Sequence, residues 1–114
     1  MVVEESCRSR VVGMGSNRFM IIVSGFLKVD PGQRTEYLDS CDEVIRAARS
    51  APGCLDFHLS ADLIEADRIN IFEQWESVES VEAFRGSGPS DDQQSVITGA
   101  NVMQHEIASS ISLT

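Results

Sequence analysis

Basic residues are scarce in this 114-residue chain: nine Lys and Arg stand against eighteen Asp and Glu, giving a net charge of −9 with no basic cluster to offset it locally. Such a chain repels phosphate backbones and anionic lipid, which excludes nucleic acid and membrane surfaces as partners. Long hydrophobic runs are missing too. The longest, Phe19 to Val23, is far short of the ~20 residues that span a bilayer. The first ten residues, MVVEESCRSR, carry two glutamates where an export signal would be basic. Cysteine is limited to Cys7, Cys41 and Cys54, an odd set without CxxC spacing, which fits reduced thiols and a cytoplasmic location. Internal repeats and low-complexity tracts are absent as well. The lone Gly13-Met14-Gly15 has no strand before it and no helix after it, so it is not a phosphate loop.

What remains, 42% hydrophobic and 24% charged, is the composition of an ordinary globule large enough for one small core. Residues 1–18 read as an N-terminal extension and residues 19–114 as a single domain. Phe19 to Val29 alternates as a strand with apolar side chains on both faces, Phe19, Ile21, Val23 and Leu27 on one and Met20, Ile22 and Phe26 on the other. Asp30-Pro31-Gly32-Gln33 is a helix start, with Asp30 as N-cap and Gln33 in the capping-box position. Tyr37, Leu38, Cys41, Val44, Ile45 and Ala48 then recur at helical spacing as one buried stripe. Pro52-Gly53 ends that helix.

The central stretch, PGCLDFHLSADLIEADRINIFEQWES, reads as a hairpin. Strict alternation puts Leu55, Phe57 and Leu59 on one face of its first strand and Cys54, Asp56, His58 and Ser60 on the other. Its second strand sets Ile69, Ile71, Glu73 and Trp75 against Asn70, Phe72, Gln74 and Glu76. Ser77 caps a short helix carrying Val78, Val81 and Phe84. Ser90-Asp91-Asp92-Gln93 predicts a further brief helix with Val96 and Ile97, ending near Gly99. Asn101 to Leu113 alternates again, with Met103, His105, Ile107, Ile111 and Leu113 on its apolar face.

Strand, helix, strand, strand, helix, strand is the ferredoxin-like βαββαβ order of an α+β fold, a four-stranded antiparallel sheet with its helices on one face. The bare face is apolar. Burying four to six large side chains there, at ~1.5–3 kcal/mol each, offsets the cost of association, so a homodimer packed sheet against sheet is expected.

MIIVSGFLKVDPG, the PGCLDFHL turn and above all FEQWES followed by a short helix resemble the antibiotic biosynthesis monooxygenase family of dimeric α+β barrels, over about residues 19–113. The resemblance implies a pocket between sheet and helices and, as in several members, oxygenation of an aromatic polyketide or quinol by molecular oxygen without metal or flavin. Members that oxidise anthrones carry an asparagine four residues before the tryptophan, where this chain has Ile71. Where they and the haem-degrading branch use an asparagine on the first strand, it has Ser24 or Gly25. The haem degraders also need a tryptophan and an iron-ligating histidine after strand three, where this chain offers Phe84 and Gln94. Haem cleavage is therefore not expected.

Cofactor-free oxygenation needs a base, an ionisable electron-rich substrate and a dry pocket. Glu73, an acid between Ile71 and Trp75 on a core face, is the candidate base; the alternative is an acid paired with an arginine or capping backbone amides. Trp75 is the second candidate catalytic residue, stacking on a planar substrate, or else a core tryptophan with a satisfied N–H. Ser24, Tyr37, Phe57, Leu59, Ile71, Phe84 and His105 are the candidate substrate contacts. For each the alternative is core packing or an internal hydrogen bond. No metal site is expected, because His58 and His105 fall on strands at opposite edges of the sheet and no third ligand converges. Three functions remain open: a cofactor-independent monooxygenase of a small phenolic or quinol-like metabolite, a non-catalytic dimeric protein binding a small apolar ligand, and an isomerase using the base without oxygen.

Overall fold

The computed structural model describes residues 19–85 and 96–114. The expected N-terminal extension and the start of the expected helix at 90–99 lie outside the described residues. Strands β1 (Met20–Val29), β2 (Cys54–Ala61), β3 (Arg68–Trp75) and β4 (Ile97–Ile107) form one antiparallel sheet in the order β2-β3-β1-β4. Helices α1 (Arg34–Ser40), α2 (Asp42–Ser50) and α3 (Val78–Arg85) complete the ferredoxin-like α+β fold read from the sequence. Among the described residues no helix is long and apolar enough to cross a membrane.

The helical segment after β1 is divided rather than continuous. Asp30 caps it by accepting from the Gly32 amide at 2.8 Å, so the cap is an Asx turn onto Gly32 rather than a box with Gln33. A short 3-10 turn over Pro31–Gln33 leads into α1, and Cys41, at ψ −4°, separates α1 from α2. The apolar stripe survives the break: Tyr37 and Cys41 pack on one end of the sheet and Ala48 on the other. Arg49 donates from Nε to the Phe57 carbonyl at 2.8 Å, tying α2 to the edge strand β2. Ser77 caps α3 as its position predicts, accepting from the Ser80 amide.

Register assigns the faces. Ile21, Val23, Ile69, Glu73, Trp75 and Phe57 are buried toward the helices. Opposite them lie Met20, Ile22, Ser24 and Phe26 of β1, with Phe72 of β3 and Met103, His105 and Ile107 of β4 in the same rows. The apolar face of β4 is thus on the open side of the sheet, away from the helices.

Three sequence expectations are corrected here. A register shift between Cys54 and Asp56 pairs Cys54 with Trp75, so Cys54 joins the core while Leu55 is 54% exposed. One extra residue in a bulge reverses the alternation on one side of it. At the other end of the chain, β4 already begins at Ile97, which pairs with Val29, so the expected helix does not reach Gly99. A β-branched pair, Ile97-Thr98, facing an unpaired strand edge favours the ladder over a further helical turn. Beyond Ile107 the chain leaves the sheet, so Ile111 and Leu113 are not strand residues.

Gly25 sits at the centre of the sheet with φ +147°, and a Cβ there would overlap the Asn101 carbonyl oxygen and lie 2.8 Å from Val102 Cα. No other residue type fits, since strain and overlap act together. Gly25→Ala is expected to cost roughly 2–4 kcal/mol in denaturant unfolding. Gly99→Ala, whose added carbon would sit 3.6 Å from the Lys28 Cβ, should stay close to wild type.

Candidate functional site

Only one acid, Glu73, is buried among the described side chains, and β3 holds it on the helix face between Val23 of β1 and Phe57 of β2. Burying a carboxylate is costly unless donors surround it. Here the Trp75 indole donates from Nε1 to Oε1 at 3.0 Å, and Arg85 donates from one terminal nitrogen to both carboxylate oxygens at 3.2 Å. Residues two apart on a strand share a face, which is how Trp75 reaches Glu73. Arg85 comes from the last turn of α3, so the ion pair also fastens that helix to the sheet. The Glu73 side chain is 7% exposed and that of Arg85 49%, so the pair connects the interior to the surface.

Around the acid lies an aromatic cluster. Phe84 packs 5.4 Å from Trp75 at 33° and meets Phe57 edge-on at 5.8 Å. Trp75 is fully buried. Its ring faces are occupied by protein, so it serves as wall and N–H donor, and a substrate could stack on it only after Phe84 moved.

One row further along the sheet are Gly25, Ile71 and Leu59, paired across β1, β3 and β2 and all half-buried. This row separates two core clusters. One is built on Ile21, Val23, Ala48, Phe57, Trp75 and Val81, the other on Val29, Tyr37, Cys41 and Ile69.

Of the residues singled out from the sequence, the fold therefore brings Glu73, Trp75, Phe57 and Phe84 into one cluster and sets Leu59 and Ile71 next to it. Tyr37 belongs to the second cluster, where burial, with the Cys41 thiol beside it, pushes its phenol up to about 12. Ser24 and His105 do not join the site. Ser24 pairs with Phe72 and Met103, and His105 with Ile22, on the open face. His58 is on that face too, stacked on Phe72 at 5.4 Å with the Asp56 carboxylate 3.7 Å away. The residue missed by sequence reasoning is Arg85. Its signal was faint: a basic residue in the last turn of α3, immediately after the core-facing Phe84, and the natural counterion for an acid buried on the same side of the sheet.

The sequence profile of the antibiotic biosynthesis monooxygenase family matches residues 20–94. The chain belongs to this family. A candidate antibiotic biosynthesis monooxygenase from Deinococcus radiodurans superposes with a TM-score of 0.66 at 18% identity, over 82% of this chain and 98% of that one. The fold is shared also with a haem-degrading protein from Mycobacterium tuberculosis, TM-score 0.61 at 23% identity, over 84% and 99% of the two chains. An uncharacterised protein of Synechocystis is 33% identical over 55 residues, which are 48% of this chain and 37% of that protein. The chain thus spans little more than a third of the length of that curated relative.

Histidine-ligated haem does not fit the helix-side site of this family member. The chain has two histidines, and β2 and β4 carry both on the open face. Among the described residues no group of three or more His, Cys, Asp or Glu side chains converges as a metal site either.

Removing the arginine while keeping the acid should be the more damaging change. Arg85→Met is expected to destabilise by about 1–3 kcal/mol, and Glu73→Gln combined with Arg85→Met to recover part of it, in paired urea titrations. Tyr37, the single tyrosine, gives a separate check on burial. Its folded pKa is raised from 10.0 to about 12, so its contribution to stability is complete below pH 10 and is lost as pH rises through about 12. Phenolate absorbance should appear near pH 12 in the native protein and near 10 in denaturant; titration near 10 in both would mean that Tyr37 is exposed.

Proposed function

We propose that this protein is a dimeric, cofactor-independent monooxygenase of a small phenolic or quinol-like aromatic metabolite. The observation that supports the reading is the buried Glu73 carboxylate, fixed by Trp75 and half-screened by Arg85, beside the half-buried row of Gly25, Ile71 and Leu59. A planar substrate lying on that row would bring its acidic proton toward the outer carboxylate oxygen, which among the described residues takes donors from Arg85 alone. Arg85 would shift from the carboxylate to the substrate anion as the proton transfers, keeping one positive charge between two groups that share one negative charge. The aromatic wall of Phe57, Phe84 and Trp75 excludes water. The electron-rich anion then supplies the electrons to molecular oxygen. For a ring methylene oxidised to a carbonyl, one oxygen atom enters the product and the other leaves as water, the four electrons of the oxidation matching the reduction of oxygen.

A second reading, non-catalytic binding of a small apolar ligand, is favoured by the same carboxylate. Three donor contacts already occupy Glu73, and Trp75 is sealed behind Phe84. The open sheet face, with Met20, Ile22, Phe26, Phe72 and Met103, supports a face-to-face dimer in either case.

Oxygen uptake with a panel of hydroquinones and anthrones separates the two. The monooxygenase reading expects uptake that Glu73→Gln reduces by about 100-fold or more. Binding without uptake would leave the second reading, and turnover under nitrogen would point instead to proton-shuffling chemistry.

A further inference from the structure

The two donors that hold the buried carboxylate are of unequal quality. Trp75 Nε1 meets Oε1 at 3.0 Å with both partners in the interior. Arg85 reaches the two oxygens from a single terminal nitrogen, at 3.2 Å to each. That is a shared contact, longer than the ~2.7–2.9 Å of a guanidinium that grips a carboxylate with two nitrogens. Half of the Arg85 side chain is exposed, so water competes for it.

Helix α3 is anchored unevenly in the same sense. Its start is fixed: the buried Ser77 caps it by accepting from the Ser80 amide, and Val81, one turn on, is fully buried. In the last turn Glu82 and Ala83 are exposed. That turn meets the sheet through Phe84, against Trp75 and Phe57, and through Arg85, against Glu73. The two residues are consecutive, so a backbone movement of the turn carries both. One movement would therefore uncover the Trp75 ring and release the outer oxygen of Glu73.

We propose that the last turn of α3 is a gate to the Glu73 site, with Phe84 as its plug and the negative charge of Glu73, acting on Arg85, as its latch. The inference deepens the reading above, in which an aromatic substrate has to reach a carboxylate that the closed structure covers. Arg85 is where the buried pair meets solvent, which makes its position the way in. With the site empty and Glu73 charged, Arg85 is drawn down and Phe84 seals the tryptophan. Neutralising Glu73 removes that attraction and leaves Phe84 alone to hold the turn, so the open population rises.

Glu73→Gln tests the latch, because its amide oxygen still accepts from Trp75 while the charge beneath Arg85 is gone. Amide exchange and acrylamide quenching of the single tryptophan are read without any ligand. Exchange at residues 82–85 should quicken by at least about tenfold, that of Ile69 and Ile71 in β3 should change far less, and quenching of Trp75 should rise. Arg85→Lys, which keeps a cation, should fall between wild type and Glu73→Gln. Sodium chloride at ~1 M, which screens a half-exposed pair, should raise quenching in the wild type and leave Glu73→Gln unchanged. Wild-type exchange at 82–85 in Glu73→Gln, or an acceleration as large in β3, overturns the latch whatever the protein binds. Hydroquinone separates the gate from the reading it serves: followed by Trp75 emission, it should associate faster with Glu73→Gln than with the wild type. If the turn opens as described and hydroquinone binds neither protein, the latch stands and the aromatic substrate falls.

Discussion

A negative charge held out of water is the constraint on which this structure turns. Glu73 sits in the middle of a sheet, on the side covered by helices, and tolerates that place because an indole and a guanidinium converge on it. The cost of stripping water from a carboxylate is several kcal/mol, so the donors are obligatory. Meeting that need fixes the Trp75 ring, draws the end of α3 down onto the sheet and thereby seats Phe84 against Phe57. Local order in this half of the core follows from one electrostatic requirement.

The sheet divides the labour between its faces. Toward the helices it presents the acid and the aromatic wall; away from them it presents methionine, isoleucine and phenylalanine together with both histidines. Arg68 lies 4.2 Å over the Phe26 ring, covering the end of the apolar stripe nearest the hairpin tip with a cation. At Gly25 the absence of a side chain lets the β4 backbone approach closely.

Much of this was legible in the residues. Alternation located β1 and β3, the Pro52-Gly53 pair marked the end of α2, and Glu73 stood out as an acid on a greasy face, with pairing to an arginine already one of its two readings. Where reading failed, the cause is specific. Period-two counting cannot register an inserted residue, so Leu55 and Cys54 exchanged places. An apolar strand does not say which side its helices will take, and so His105 and Ser24 were grouped with a site from which the sheet separates them. Arg85 was passed over because a cation at a helix end has an adequate local reason to be there, the helix dipole, and its distant partner leaves no mark in the neighbouring sequence.

Order of elements, the family motif around FEQWES and the presence of a buried acid were determined by the chain alone, since each is written in short-range spacing. Which residues share a face with that acid, which cation answers it and where the sheet stays uncovered were decided by tertiary structure. The reason is that strand pairing joins positions as far apart as Met20 and Ile107, and one bulge or one helix placement reassigns every side chain beyond it.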